Sequence, residues 1–471
     1  MATPDRLKLR EKLCYGFGDL ASVLYWQTFS LYLLYFYTDV FRISAAAAGT
    51  MFLISRIWDG VNDPMMGMLA DRTETRWGKF RPFLLWFCVP FAVMGVLMFT
   101  TPHLGGTGKL IWAYITFNGM MMIYTAINIP YTSMLGVISP DPNQRTIVSS
   151  IKFVFAYVAA TIVSFTLLPM AAWLGGAPDN PRGWQLVFVI YGIAAVIFFL
   201  IAFAGTRERV RPPAAQKTSM ARDLRNLFTN GPWLVLLATT ITFILFVATR
   251  LTITAHYFRY FVGPQTLTLP FTGGARSYGF TELVSAFNTV GGVSAIVGAL
   301  LVGWFATTVG KKPAFLILFV ISIVSTAAFY FLRPEQVGLM FVLQIVGSLT
   351  GGPLSAVLWA MYADTADYAE WKNRSRSTGL VFSASTMTQK VGWAIGGFLA
   401  GVMLSATGYT PDKVQASGVL HGIVLLMSII PAAVGVVSMV IVLFYPLNET
   451  RVRQIEIDLQ ARRAGAAVAG S

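Results

Sequence analysis

Apolar stretches of roughly 18 or more residues recur along nearly the whole chain, separated by short polar segments. Each is long enough to cross a hydrocarbon core about 30 Å thick as a helix. Twelve such helices are predicted, with spans 12–38, 45–70, 82–100, 109–136, 147–174, 184–205, 232–262, 281–308, 313–332, 336–362, 377–406 and 418–446. A transmembrane β-barrel would instead show alternating segments of about ten residues. The expected fold class is all-α and integral to the membrane.

Composition agrees with the pattern. Of 471 residues, 55% are hydrophobic and only 12% charged, and the mean hydropathy is +0.63, well outside the balance of a soluble domain. A net charge of +14 would suggest nucleic acid in a soluble protein, but here the cations follow topology. With the N-terminus inside, Arg6, Lys8, Arg10, Lys12, Arg72, Arg76, Lys79, Arg81, Arg145, Lys311, Lys312, Lys372, Arg374 and Arg376 share one side with the basic central loop and tail. The other side has only Arg42, Lys109, Arg182, Arg276, Arg333 and Lys413. This is the positive-inside bias, and it predicts a multi-pass protein with both termini cytoplasmic and no nucleic-acid partner. The two cysteines, Cys14 and Cys88, form no disulfide framework and read as packing residues. The charged N-terminus lacks a cleavable signal pattern.

The polar stretch 206–231, with Pro212 and Pro213, divides the chain into an N-terminal six-helix bundle, 1–205, and a C-terminal one, 232–447, followed by a cytoplasmic tail, 448–471. A short loop recurs at corresponding places, Arg76-Trp77-Gly78-Lys79-Phe80-Arg81-Pro82 and Val309-Gly310-Lys311-Lys312-Pro313. Two related six-helix bundles around a midplane site are the architecture of major facilitator transporters. In the tail, Arg451 to Arg463 reads as an amphipathic membrane-surface helix, followed by an Ala/Gly ending read as disordered.

Ionisable residues inside predicted spans are the first site candidates, because a charge at mid-membrane costs about 3 kcal/mol on insertion scales. Arg56, Lys152, Arg250, Arg259 and Lys390 qualify among the bases, and Asp19, Asp59 and Asp63 among the acids. Asp59 and Asp63 are four residues apart with Asn62 between them, so all three project from one helix face. Two adjacent carboxylates repel, and sharing a proton, pairing with a base or binding a cation relieves the repulsion. A monovalent cation site is the natural reading, with Thr125 able to add a hydroxyl ligand. The alternative is a structural salt bridge to Lys390 or Arg56. Lys390 either leans toward the aspartates or snorkels to an interface. Arg250 and Arg259, near a helix end, read as interface anchors.

The segments Tyr15-Gly16-Phe17-Gly18-Asp19, Tyr37-Thr38-Asp39-Val40, Arg56 to Gly67, Arg76 to Pro82, Asn128-Ile129-Pro130-Tyr131 and Ala363-Asp364-Thr365-Ala366-Asp367-Tyr368 are similar to those of the glycoside-pentoside-hexuronide cation symporters. The resemblance runs nearly end to end. It implies a sugar:cation symporter of a bacterial inner membrane, functional as a monomer, with Na+, Li+ or H+ as coupling ion and no other cofactor. It carries the cation role to Asp59, Asn62, Asp63 and Thr125, with Lys390 nearby. It also implies a solute site around Asp19, Val23, Trp26, Tyr124, Asn128 and Lys152, with Tyr131 and Tyr157 as further ring-stacking surfaces. Val23 and Asn128 stand where the melibiose permease has carboxylates, which puts galactoside specificity in doubt. Lys152 would tolerate a uronide carboxylate as well as a neutral sugar.

Loop charges Asp71, Arg72, Arg76, Arg145, Asp364, Asp367, Arg374 and Arg376 occur in corresponding loops of the two halves and are expected to gate the cytoplasmic side by ion pairs across the bundles. A bland reading is attraction to anionic lipid. Rival functions are a carrier of the same fold for another substrate, such as a lysolipid, and a transport-dead sensor. The sequence has no metal-ligand cluster, nucleophile motif or phosphate loop, and its three histidines, His103, His256 and His421, are scattered. An enzyme is not expected.

Overall fold

The computed structural model describes residues 7–210, 227–268, 275–373 and 378–469. Helices dominate it. The first half runs α1 (Leu9–Tyr35), α2 (Ala45–Arg72), α3 (Arg81–Met98), α4 (Gly106–Val137), α5 (Pro142–Gly175) and α6 (Pro181–Gly205). The second runs α7 (Gly231–His256), α8 (Phe280–Val309), α9 (Lys311–Ala327), α10 (Val337–Gly351), α11 (Leu354–Asn373), α12 (Thr378–Ala406), α13 (Ser417–Met427), α14 (Ile429–Leu443) and the tail helix α15 (Glu449–Ala469).

Among the described residues, nine spans are long and apolar enough to cross a membrane. The three remaining predicted spans, α1, α2 and α12, are 27, 28 and 29 residues long, so length does not set them apart. They are the helices that carry Asp19, the Asp59–Asp63 pair and Lys390, and a helix lining a polar cavity is less apolar than one facing lipid. The predicted span 336–362 is two helices, α10 and α11, broken at Gly351-Gly352-Pro353, where Pro353 removes a helix donor. The last span is likewise two, α13 and α14, interrupted at Ser428 ahead of Pro431.

Two local features were not anticipated. Residues Gln265–Thr268 pair antiparallel with Ala275–Tyr278, Thr266 opposite Ser277, in a small hairpin between α7 and α8. In addition, α1 and α7 both end in π-helical turns, Phe36–Val40 and Tyr257–Val262, a form that concentrates at functional places.

The described chain divides into two compact units. The first comprises 1–215, 251–289 and 397–423, and the second 216–250, 290–396 and 424–471. An aromatic core orders the first. Phe99 stacks on Phe188 with centroids 3.6 Å apart, and Trp184, fully buried, stacks on Phe99 at 5.9 Å. The core of the second is built from Phe243, Phe246, Phe315, Phe319, Met361 and Tyr362. Val452, Ile455 and Leu459 of α15 are buried in it, and Asp458 Oδ2 accepts a hydrogen bond from Trp371 Nε1 at 2.9 Å. The tail helix therefore packs its apolar stripe on protein, not on lipid as its amphipathicity suggested, and it continues to Ala469.

The recurring loop is a recurring structure. Gly78 has φ +114°, and Glu208, just after α6, accepts backbone N–H bonds from Lys79 (2.8 Å), Phe80 (2.7 Å) and Arg81 (2.9 Å) at the start of α3. In the second unit Gly310 has φ +93°, and Glu449 accepts from the Lys311 N–H (2.9 Å) at the start of α9. A carboxylate at a helix N-terminus satisfies free donors and complements the helix dipole.

Candidate functional site

The α2 carboxylates sit in the pattern the helical spacing requires. Asp59 is 2% exposed, and its Oδ2 accepts a bond from Arg56 Nη1 at 2.7 Å. Its Oδ1 is buried without a hydrogen-bond partner. The salt bridge to Arg56 therefore uses one carboxylate oxygen and leaves the other unpartnered. Four residues on, Asp63 Oδ1 accepts a bond from Thr125 Oγ1 of α4 at 3.0 Å, which joins the two helices predicted to share the cation site. Asn62 is half-buried, and its Nδ2 also lacks a partner. Lys390 is half-buried on α12, in the second unit.

Arg56 has a second neighbour. Its guanidinium lies 5.1 Å from the centroid of the Trp26 ring, and Trp26 meets Tyr124 at 5.8 Å. The Tyr124 hydroxyl sits beside Asn128, one turn further along α4. An unbroken path of contacts therefore runs from the α2 carboxylate through Arg56 to an aromatic pair with an amide beside it. Lys152 of α5 pairs with Asp19 of α1, Nζ to Oδ1 3.6 Å, and lies 5.5 Å from the Tyr131 ring. Val23, one turn past Asp19, is half-buried and adds no polar group. Tyr131 and Tyr15 exchange hydrogen bonds, each hydroxyl donating to the other's carbonyl at 2.8 and 3.0 Å, and stack at 4.7 Å. Tyr131 is fully buried by this pairing, which makes it a packing residue that fixes α1 against α4. Tyr157 is 39% exposed.

The gate candidates divide. Asp364 pairs with Lys311 of its own unit, Nζ to the two oxygens 2.7 and 2.8 Å. Asp367 is half-buried one turn on, Arg72 is exposed at the end of α2, and Arg145 is half-buried in the first turn of α5. Arg374 and Arg376 lie outside the described residues, and nothing is described of the Asp71 side chain.

A second polar centre, in the first unit, escaped the sequence reading. Asp39 and His256, both fully buried, approach to 3.3 Å, Oδ2 to Nε2. Asp39 Oδ2 also accepts from Thr38 (2.6 Å) and Tyr409 (2.7 Å), and Oδ1 accepts from Tyr260. Burial and the adjacent carboxylate hold the Tyr409 hydroxyl above its ordinary pKa, so it stays a donor. His256 Nε2 faces the Asp39 carboxylate and, at 3.0 Å, the Thr38 hydroxyl, which assigns its proton to that nitrogen. Arg259, expected as an interface anchor, instead bonds Asp412 (2.6 Å), Asp179 (3.3 Å) and Tyr35. Arg250 is no anchor either: it bonds the buried Gln344 at 2.7 Å. His256 was scattered only in sequence. The readable signal was that Asp39 and His256 end α1 and α7, corresponding helices of the two halves.

These features define a multi-pass membrane transporter of the major facilitator fold, not an enzyme. The chain matches the MFS/sugar transport protein family over residues 14–449 and belongs to it, as a symporter of the glycoside-pentoside-hexuronide type. It is 34% identical over 457 residues to an isoprimeverose transporter of Lactiplantibacillus pentosus, covering 96% of this chain and 92% of that protein. It is 35% identical over 442 residues to the inner membrane symporter YicJ of Escherichia coli strain K12, covering 92% and 91%. Among solved structures, it is similar in fold to a bacterial homologue of the human lysosomal transporter Spinster, with a TM-score of 0.64 at 17% identity over 93% of this chain and 95% of that one.

Proposed function

We propose that the protein is a sugar:cation symporter of a bacterial inner membrane, with both termini cytoplasmic, taking a neutral glycoside together with Na+, Li+ or H+. The observation that carries this reading is the buried Asp59 Oδ1, unpartnered while Oδ2 is held by Arg56. A buried acceptor without a donor is costly, and a cation or proton supplies what is missing. Asp63, Thr125 and Asn62 complete the ligand set, and Lys390 is the base expected to serve it.

Coupling follows from Arg56. It binds Asp59 on one side and faces Trp26 on the other, so a cation that competes for the Asp59 charge alters how Arg56 holds the aromatic pair. By linkage, sugar raises cation affinity by the factor by which the cation raises sugar affinity. The sugar ring stacks on Trp26 and Tyr124, with Asn128 and Asp19 as hydroxyl partners. Neutral glycosides are favoured over uronides because Asp19 already neutralises Lys152. The two halves, 1–205 and 232–447, rock about this site, and Arg72, Arg145, Asp364, Asp367 and Arg376 act at the cytoplasmic gate. The transporter acts as a monomer.

The test is uptake of labelled glycosides, pentosides and uronides into proteoliposomes under an imposed Na+, Li+ or H+ gradient. Gradient-driven accumulation of a neutral glycoside is expected. Equal uptake with and without every gradient would overturn the reading.

A further inference from the structure

Small residues let α3 and α6 lie close together. A Cβ added to Gly192 of α6 would stand 3.1 Å from Ala92 Cβ of α3. Beside that contact the larger side chains part, Val93 and Leu97 on one wall and Val189, Ile193 and Ile197 on the other, and leave a groove of about 400 Å³ lined by apolar side chains alone. Val93, Val189, Ile193 and Ile197 are exposed, so the groove opens onto the membrane. From Val189 to Ile197 it runs about 12 Å along α6, close to one leaflet's share of a hydrocarbon core about 30 Å thick.

Toward the start of α6 the groove gives way to polar groups. Gln185, one turn before Val189, donates from Nε2 to Thr100 Oγ1 just past α3, at 2.9 Å. Arg182 lies further along the same face: positions 182, 189, 193 and 196 fall within an arc of about 60°. Arg182 is exposed, and its guanidinium makes no ion pair among the described residues. The neighbouring acid, Asp179, is engaged by Arg259 at 3.3 Å. Trp173, 81% exposed near the end of α5, marks the same end of the helices as the level where interfacial tryptophans gather. A cation at headgroup level, heading a stripe that lines an apolar groove, matches the two parts of one molecule, a phosphate and its acyl chain.

We propose that the groove between α3 and α6 is a binding site for an anionic phospholipid, with one acyl chain lying along Val189 to Ile197 and the phosphate on Arg182. A second copy of this chain would also cover apolar surface, but the cation at the head of the groove favours a phosphate. In a membrane that phosphate arrives already attached to a chain of leaflet length. The site uses none of the residues assigned to the ion or the solute, and it stands whichever of these the protein carries.

The experiment takes the purified full chain, freed of copurified lipid in detergent, and titrates it with phosphatidylglycerol or with phosphatidylcholine of the same acyl chains. Native mass spectrometry counts the bound lipid, and Tm records its effect on stability. Wild type is expected to bind phosphatidylglycerol in preference to phosphatidylcholine and to gain Tm as it does so. Arg182→Gln should need about fivefold more phosphatidylglycerol for the same occupancy, while binding phosphatidylcholine as wild type does. Ile193→Trp, which fills the groove from a position 59% exposed, should lose the bound lipid of either kind. Arg333→Gln, which removes another exposed arginine of the same expected membrane side, should change neither titration. Equal affinity of wild type for the two lipids overturns the proposal. So does an equal loss in Arg182→Gln and Arg333→Gln, because the attraction is then diffuse. A wild-type dimer that persists without lipid and is lost in Ile193→Trp gives the groove to a second copy of the chain, and also overturns it. Each variant tests a different part of the lipid, so if one fails to fold the other still decides.

Discussion

The Asp39 carboxylate and the His256 imidazole lie 3.3 Å apart, and neither residue is exposed at all. They join the π-helical end of α1 to the end of α7, and Tyr409 and Tyr260 bring the loop after α12 into the same centre. Arg42 and Asp412, which pair at its edge, both hold left-handed backbone, with φ of 69° and 57°. For a non-glycine residue that conformation persists only where its surroundings enforce it. This centre is predicted to take part in the transport cycle. Asp39→Asn removes the charge that four donors address, at about 1.5–3 kcal/mol for each charge-assisted bond lost. The expected result is a Tm lowered by several degrees and sugar uptake reduced at least tenfold. Arg42→Ala, with 48% of its side chain exposed, should change either by much less. Normal uptake in Asp39→Asn would remove this centre from the transport cycle.

Asp59 and Asp63 are expected to fail differently. Asp59 balances the charge of Arg56, whose side chain is only 12% exposed, so Asp59→Asn leaves a buried cation uncompensated and should destabilise the protein by about 3 kcal/mol or more. Asp63→Asn keeps a hydrogen-bond acceptor for Thr125 and should fold normally. Its predicted defect is in coupling alone: sugar exchange down or across equal concentrations persists, and gradient-driven accumulation is lost. Counterflow measured beside gradient-driven uptake separates the two. Accumulation retained by Asp63→Asn would exclude it from the cation site.

Asp19 is predicted to set the charge preference of the solute. With Asp19 present, the Lys152 ammonium has a carboxylate 3.6 Å away. Asp19→Asn removes the carboxylate from that largely buried ammonium, whose side chain is 17% exposed, and a uronide carboxylate is expected to take its place. Competition against a labelled neutral glycoside should show uronides gaining about tenfold in inhibition relative to wild type, equivalent to about 1.4 kcal/mol. An unchanged ranking of inhibitors would detach the pair from the solute site.

How much of this was legible in the sequence differs from residue to residue. The helices were, because a continuous apolar run of membrane length has few alternatives, and the Asp59, Asn62, Asp63 face was, because helical spacing alone determines it. Thr125 was named as a possible hydroxyl ligand from its residue type as well as by resemblance, and its hydroxyl bonds Asp63. The Asp39 and His256 centre was not legible, because its members are 217 positions apart and meet only through tertiary packing. The gates divided for a similar reason: loop charges mark which side of the membrane they occupy, and the partner of Asp364 proved to be a lysine of its own unit.

The loop caps allow a prediction in which two causes can be separated. Glu208 accepts three backbone donors at the start of α3, and a Cβ added to Gly78 would lie 2.6 Å from its carboxyl carbon. Gly78→Ala therefore suffers twice, from the left-handed backbone at φ +114°, costing about 1–2 kcal/mol, and from collision with Glu208. Glu208→Ala alone should cost about 1–2 kcal/mol through the lost cap. In the double variant the collision is gone and the backbone strain remains, so the destabilisation should fall short of the sum of the two single changes by at least 0.5 kcal/mol, roughly the coupling expected of residues in contact. Tm values of the four purified proteins measure this. At Gly310 and Glu449, where the nearest approach is 3.0 Å, the same cycle should show weaker coupling. Strict additivity at Gly78 would mean that Glu208 does not approach the Gly78 Cβ position in the membrane-embedded protein.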